Sequence, residues 1–390
     1  MGGRIALFVP SLQGGGAERV MLLLAQAFAK RGLAVDLVLA KASGPYLEQV
    51  PPEVRLVDLS ASRILAGLSA LIRHLPIKSL KAHDVDAVLT VLPALLCYIL
   101  REKPAVMLSA LEHANFLALW AKKISLSSTR VYVSEHNTLR HIAQGKTSRD
   151  KIGLCLIKLI YPWAEAVVAV SQGVAADLVS IGKLPSKKIR VVYNPVPIQE
   201  ISDKAREPVS FSWFAPNEQP VILAAGRLTA AKDFWTLIRA FAILRRERPF
   251  RLLILGEGEE RFSLGKLVQD LGLDGDVDMP GFVDNPYAYM SRAAVFVLSS
   301  AWEGFGNVLV EAMACGCPVV STDCPGGPAE ILENGRYGPL VPVGDSAALS
   351  NAILAVLEKP PSADFLRQRS MDFDLDKLTD QYLDVICKTV

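Results

Sequence analysis

A chain of 390 residues is too long for one ordinary core and suits two domains of roughly 150–200 residues each, with 51% hydrophobic residues to fill both cores, which excludes a disordered polymer. The net charge of +2 conceals an asymmetry: residues 1–200 hold 24 Lys and Arg against 14 Asp and Glu, leaving 18 against 26 for residues 201–390. A basic half attracts nucleic acid, an anionic membrane surface or an anionic substrate, and charge alone does not choose among them.

Short apolar runs alternate with longer amphipathic ones from end to end, the pattern of parallel α/β layers. In the first half strands are predicted at Ile5–Pro10, Val35–Ala40, Ala87–Leu92, Ala105–Leu111, Arg130–Ser134, Ala166–Ser171 and Ile189–Tyr193. The apolar run Val85–Leu100 contains Asp86, Thr90 and Pro93, falls short of the ~20 residues that span a bilayer, and reads as strand, turn, then helix. In the second half strands are predicted at Val221–Ala225, Arg251–Leu255, Val277–Pro280, Val295–Ser299, Pro318–Thr322 and Leu340–Val343. Proline-rich sequence without periodicity separates the halves, so residues 1–196 and 220–373 are expected as domains, 197–219 as a linker, and 374–390 as a helix packing back on the first domain. The six cysteines are sparse, and no signal peptide precedes Ile5–Val9, so a reducing cytosol is expected. The spacing Cys315-Gly-Cys317 with Cys324 lacks a knuckle gap and a nearby histidine, and reads as buried free thiols, not a metal site.

Four stretches carry chemistry. Pro10-Ser-Leu-Gln-Gly-Gly-Gly-Ala-Glu-Arg19 follows the first strand and opens a helix, where glycines and unpaired N–H groups welcome an anion. A dinucleotide fingerprint fits it poorly, because Arg19 stands at the third glycine position and Asp36 lies inside the second strand instead of ending it. Gly226-Arg-Leu-Thr-Ala-Ala-Lys-Asp233 again joins strand to helix, and Arg227 and Lys232 are two cations of the kind a diphosphate needs. The turns at Gly256 and at Pro280-Gly-Phe-Val283, which carries Phe282, belong at carboxyl ends of strands in the same sheet. In Trp302-Glu-Gly-Phe-Gly-Asn-Val-Leu-Val-Glu311, Glu303 falls in a loop and Glu311 on an otherwise apolar helix, and a carboxylate that accepts two hydroxyl protons suits a ribose diol or a sugar ring.

Glu303-Gly-Phe-Gly-x4-Glu311-Ala-Met-Ala-x-Gly316-x-Pro318 resembles the E-x7-E signature of family 4 of the retaining glycosyltransferases. Supporting matches run nearly the whole chain: Gly14-Gly-Gly-Ala-Glu-Arg19, Ser134-Glu-His-Asn137, Tyr193-Asn-Pro195, Gly226-Arg-Leu228, Lys232-Asp233 and Asp323-Cys-Pro-Gly-Gly-Pro328 with Glu330. The resemblance implies the α/β GT-B architecture, two Rossmann-like α/β/α domains facing across an interdomain cleft. It implies a catalytic set of His136, Arg227, Lys232 and Glu303, with Arg227 and Lys232 on the diphosphate and Glu311 on the ribose. It further implies donor contacts from Gly15, Gly16 and the amides of Gly304, Phe305 and Gly306; Gly256 and Phe282 at strand ends and Asn307 and Val308 at the helix start are donor-contact candidates by position, with packing the simpler role for Phe282 taken alone.

Transfer with retention and without a protein nucleophile is implied, with the nucleotide sugar as substrate, no cofactor and no metal. Asp84-Val-Asp86, Asp274-Gly-Asp276 and Asp276-Val-Asp278 spell the metal signal of the other glycosyltransferase architecture, but two flank or enter strands and the middle one is a glycine turn. The donor loop Asp323–Pro328 resembles that of hexose and N-acetylhexosamine transferases, which favours uridine. The expected acceptor is a glycan or lipid-linked glycan.

A basic amphipathic stretch, Arg63–Leu75, with Lys78, Lys81, Lys122, Lys123, Lys146 and Lys151 in the same half, suggests peripheral contact with anionic lipid at the inner face of the cytoplasmic membrane. An ordinary domain helix with a solvated face fits that stretch equally well. The rival readings are a nucleotide-sugar epimerase of the same architecture and a non-catalytic nucleotide-sugar-binding protein; nucleic acid is not expected as a partner, because the basic residues lack interleaved aromatics.

Overall fold

The computed structural model describes residues 3–61, 82–145 and 147–387. The chain forms two compact units, one of Met1–Val170, Val174–Pro195 and Leu375–Val390, the other of Ser171–Gly173 and Val196–Asp374. Each is an α/β domain built on a parallel sheet.

The strands of the first unit are β1 (Ile5–Val9), β2 (Val35–Leu39), β3 (Val54–Asp58), β4 (Val106–Ala110), β5 (Arg130–Glu135), β6 (Val167–Ala169) and β7 (Ile189–Val191), in the order β3-β2-β1-β4-β5-β6-β7. Every residue of β1, β2 and β4 is buried, as strands covered by helices on both faces must be. The C-terminal helix Leu375–Cys387 belongs to this unit: Tyr382 and Ile386 enter its core, and Arg31, just past the helix Gly16–Lys30, pairs with Asp376 and Asp380 at 3.2 and 3.1 Å.

One expected strand fails here, and one strand is unanticipated. Ala87–Leu92 lies inside one helix, Ala82–Glu102, which carries Pro93 within it, because a continuous apolar run fits a buried helix as well as a buried strand. The strand missed is β3, an edge strand whose Arg55 and Asp58 break the apolar run. Arg55 is what seats it: its guanidinium donates to the fully buried Asp36 of β2 at 2.9 and 2.6 Å, joined there by Arg4 and by the Tyr98 hydroxyl at 2.7 Å. The amphipathic stretch Arg63–Leu75, with Lys78, Lys81 and Lys146, lies outside the described residues.

The second unit orders its strands β10-β9-β8-β11-β12-β13, where β8 is Val221–Ala225, β9 Arg251–Leu255, β10 Val277–Gly281, β11 Val295–Leu298, β12 Val319–Thr322 and β13 Leu340–Val341. Its core joins Ile222, Ile254, Val297 and Val320 of the sheet to Phe234, Phe241 and Ile353 of the covering helices. Residues 197–219, expected as a linker, are packed onto this unit instead. The helix Ile198–Lys204 buries Ile198 and Ile201, Asn285 donates to the Lys204 carbonyl at 2.9 Å, and the Phe211, Trp213 and Phe214 rings cluster with Tyr289. Apolar residues three apart suffice for that docking despite the surrounding prolines.

Among the described residues no helix is long and apolar enough to cross a membrane.

Candidate active site

In the second unit chain progress reverses between β8 and β11, and in open parallel sheets ligands sit outside the carboxyl ends of the strands at that point. Two of the predicted stretches fall there. Gly226–Asp233 leaves the end of β8, and Ser299–Gly306 leaves the end of β11.

Their link is an ion pair between the Lys232 ammonium and the Glu303 carboxylate, both largely shielded from solvent. The same Glu303 oxygen accepts the Ser300 hydroxyl at 2.7 Å, and the Ser299 hydroxyl donates to the Lys232 carbonyl at 2.8 Å. The backbone repeats the link, with the Ala301 N–H on the Ala231 carbonyl at 2.8 Å. Neither Ser299 nor Ser300 stands out in the sequence, since serine at a strand end carries no signal beyond turn propensity. Asp233 serves the helix that follows: at φ +43° it caps Phe234–Glu247, accepting the Thr236 N–H at 3.2 Å and hydroxyl at 2.6 Å. Arg227 is exposed, and no ion pair of it is found among the described residues.

Glycine is required where loops touch backbone to backbone. A Cβ on Gly256 would stand 2.0 Å from the Gly226 carbonyl oxygen, and one on Gly326 1.9 Å from the Glu303 carbonyl oxygen. Gly256 thus packs the end of β9 against the end of β8, and the Cys324–Gly327 segment supports the Glu303 loop. The stem of Lys232 lies over Gly226, where an added Cβ would meet its Cε at 3.2 Å.

Gly306, at φ +100°, caps the helix Asn307–Ala314, whose first turn carries the amides of Asn307 and Val308. The side chain of Phe305 is buried against Phe373, ring centroids 5.4 Å apart, so only its backbone is left to meet a ligand. Glu311 is buried on the same helix. Burial, and then the Glu311 charge, push the Cys315 thiol up to about 12, and Cys317 and Cys324 are likewise buried with raised values, so these three are inert thiols. Phe282 is exposed just past β10. Glu330 of the donor-loop motif spends its carboxylate on the Gln172 and Gly173 N–H groups, both at 2.9 Å.

In the first unit the reversal lies between β1 and β4. The loop after β1 is held by Glu18, which accepts the Ser11 hydroxyl at 2.8 Å and the Gly15 N–H at 2.9 Å. The Gly15 amide, expected to face a diphosphate, is therefore engaged by a carboxylate, while Gly16 is exposed at the helix start. The spacing Gly15-x-x-Glu18 is that of a capping acid, a signal present in the sequence.

His136 follows β5. Its Nε2 lies 3.0 Å from the Ser134 hydroxyl, and burial pulls its pKa down to about 4, so the imidazole is neutral at pH 7. Its neighbour Glu135 was missed by sequence reading. Burial pushes the Glu135 carboxyl up to about 7, against the Tyr161 hydroxyl bond at 2.8 Å, which favours the charged form. Asn115 completes the network, accepting from Ser109 at 2.7 Å and donating to Tyr161 at 3.0 Å and to the Ser134 carbonyl at 3.1 Å.

Of the three D-x-D candidates, Asp276 is committed to Arg245 and Arg251 at 2.7 and 3.0 Å, at the amino end of β10 and away from the site loops. Asp278 lies within β10, and Asp84 and Asp86 fall in the helix Ala82–Glu102.

Residues 14–200 match the family described as "Glycosyltransferase Family 4", and residues 205–372 the family described as "Glycosyl transferases group 1". A Campylobacter jejuni protein, N-acetylgalactosamine-N,N'-diacetylbacillosaminyl-diphospho-undecaprenol 4-alpha-N-acetylgalactosaminyltransferase, is 30% identical over 355 residues, 91% of this chain and 90% of its own. Among solved structures, sucrose-phosphate synthase from Thermosynechococcus elongatus superposes with a TM-score of 0.79 at 23% identity over 97% of each chain. Anabaena HepE, solved in complex with UDP and glucose, superposes with a TM-score of 0.78 at 20% identity over the whole of both chains.

Proposed function

Because the chain belongs to the GT-B glycosyltransferases of family 4, we propose that it moves a hexose or N-acetylhexosamine from a UDP-linked donor to a lipid-linked glycan, with retention and without a metal. The observation that carries this reading is the Lys232–Glu303 pair, set by two loops at the point where the second unit's strand order reverses. An ammonium has three donors, so Lys232 can keep Glu303 while a second donor meets a diphosphate oxygen, with Arg227 exposed nearby in the same loop to share that charge. Glu303 then takes sugar hydroxyls and Glu311 the ribose. No protein nucleophile is assigned: stabilising the departing diphosphate lowers the barrier, and the acceptor's proton goes to the leaving phosphate oxygen.

His136, neutral at working pH, acts as a hydrogen-bonding group and not as a cation. The uridine choice is supported by the UDP in the HepE structure, and the acceptor class by the undecaprenol diphosphate in the Campylobacter relative's name. The use of Asp276 as an ion-pair anchor supports metal-independent transfer. A lipid-linked acceptor brings the enzyme to the inner membrane face.

The test is UDP release from a panel of UDP-sugars with and without a polyprenyl-diphosphate-linked glycan, in the presence of EDTA, with the anomeric configuration of the product read by NMR. Acceptor-dependent release of UDP and an α product from an α donor are expected. Interconversion of free nucleotide sugars would instead indicate an epimerase, and binding without turnover a carrier; both readings are disfavoured by the family match.

A further inference from the structure

In the first unit two helices run side by side. A Cβ on Gly153 of the helix Ser148–Ile160 would meet a carboxylate oxygen of Glu112, at the start of the helix Glu112–Ser125, at 2.6 Å. Toward their other ends, the Lys123 ammonium sits 5.7 Å from the centroid of the Trp163 ring.

The outer face of this pair is apolar where a soluble domain would be polar. Ile152 and Leu159, seven residues apart on one helical stripe with Cys155 between them, are 51% and 61% exposed, and Trp163 in the following turn is 43% exposed. At the end of the neighbouring helix Ile124 is 59% and Leu126 88% exposed. Leu126 closes that helix at φ +51°, a left-handed position that glycine or asparagine fills with less strain, and its side chain projects into solvent. Neither packing nor backbone geometry in this unit calls for leucine there. Exposed Lys123, Lys151 and Lys158 border the stripe, and Lys122 is tied to the Ser127 carbonyl. Among the described residues the acids beside it are Glu112, against Gly153, Asp150, engaged with Thr147, and Glu165.

We infer that this face docks on an anionic membrane surface, with Leu126, Ile152, Leu159 and Trp163 entering the headgroup boundary and the lysines meeting lipid phosphates. Lysine is depleted in protein interfaces, whereas aliphatic side chains beside an indole and lysines with long apolar stems are the composition of interfacial membrane contacts. This deepens the lipid-linked acceptor reading above and rests on it. It supplies the surface that presents the enzyme to such an acceptor.

The test is flotation of the full chain with vesicles of phosphatidylcholine alone or mixed with phosphatidylglycerol. Wild type is expected to float with the anionic vesicles at low salt and to be released by high salt. The double variant Leu159→Glu, Trp163→Glu is expected to lose about tenfold or more in partitioning, and each of Lys123→Ala, Lys151→Ala and Lys158→Ala roughly fivefold at most. Leu126→Asn suits its backbone position, so it should weaken flotation while leaving or raising the Tm, which separates docking from folding.

Unchanged flotation of these variants overturns the proposal, as does a wild type that floats with neither vesicle. A wild-type dimer in solution that the double variant converts to monomer, at unchanged flotation, also overturns it by assigning the face to a second copy. If the enzyme glycosylates the polyprenyl-diphosphate acceptor in detergent yet never floats, the acceptor reading stands and this surface falls. If it floats as stated and transfers only to soluble acceptors, the surface stands and the acceptor reading falls.

Discussion

The Tyr161 hydroxyl donates to the Glu135 carboxylate across 2.8 Å inside the first unit, beside the imidazole of His136. Burial raises Glu135 to about 7 from an ordinary carboxyl value of 4.5, so its contribution is full below about pH 4.5 and is lost as pH rises through 7, a change on the order of 3 kcal/mol. His136 runs the other way: lowered to about 4, its contribution is full above about 6.5 and is lost as pH falls toward 4. Thermal melts across pH 4–9 should show Glu135→Gln abolishing the alkaline loss while leaving the acidic one, since the amide oxygen still accepts the Tyr161 proton. An unchanged alkaline limb would place the titration elsewhere.

Replacing Lys232 with alanine removes a cation from the proposed diphosphate site and strips Glu303 of one of its two partners, leaving Ser300. A fall of about 10²–10³ in kcat is expected for loss of one preorganised donor. The Tm should fall as well, because Glu303 is left largely shielded from solvent without its cation, with the Ser300 hydroxyl still in place. Lys232→Arg, which keeps the charge but not the compact ammonium, should recover only part of the rate. Steady-state kinetics beside a thermal melt separates these outcomes.

Gly326→Ala would place a methyl group 1.9 Å from the Glu303 carbonyl oxygen, at a backbone φ of +126°. The Glu303 loop must move, so donor affinity by calorimetry and turnover should both fall at least tenfold in a protein that still folds. The matched control is Gly265→Ala, in the helix Arg261–Asp270, with nothing within 4 Å of the new methyl. It should stabilise by about 0.5–1 kcal/mol and leave activity alone.

Asp36→Asn removes a buried charge that faces Arg4, Arg55 and Tyr98. Burial alone would raise this carboxyl, but the bonds from Arg55, Tyr98 and Arg4 outweigh it and hold it below its ordinary value. Its stabilisation is therefore present above the unfolded value near 4 and is lost as pH falls below it. Urea titration of Asp36→Asn at neutral pH should show a loss of about 3–5 kcal/mol, the usual cost of breaking one side of a buried ion cluster. Joint replacement of Asp36 and Arg55 with leucine should cost less.

Most strands could be read from sequence because strands such as Ile5–Val9, Val221–Ala225 and Val295–Leu298 are unbroken apolar runs between turn residues, with both faces covered. The same continuity misled at Ala87–Leu92, where only the neighbouring layers decide between helix and strand, and an edge strand with Arg55 near its start hid β3. Charge at the carboxyl end of a strand, as at Lys232 and Glu303, or within an apolar helix, as at Glu311, stands out in the sequence because it needs a reason. Glu135, Ser300 and Glu18 were not singled out. The significance of Glu135 lies in Tyr161, 26 residues away, whose approach the fold alone creates, whereas Ser300 and Glu18 act on local partners, Glu303 and Gly15, through a spacing that common turns and caps share.

Tyr382 and Ile386 fill the core of the first unit from the far end of the chain. On the ribosome, every residue of β1 to β7 emerges long before the side chains that complete their packing, and Val196–Asp374 of the second unit is translated in between. The nascent first unit must therefore wait with an open cavity in its wall, and premature release of the polypeptide before Tyr382 is incorporated yields a molecule whose early portion, although fully synthesised, cannot close.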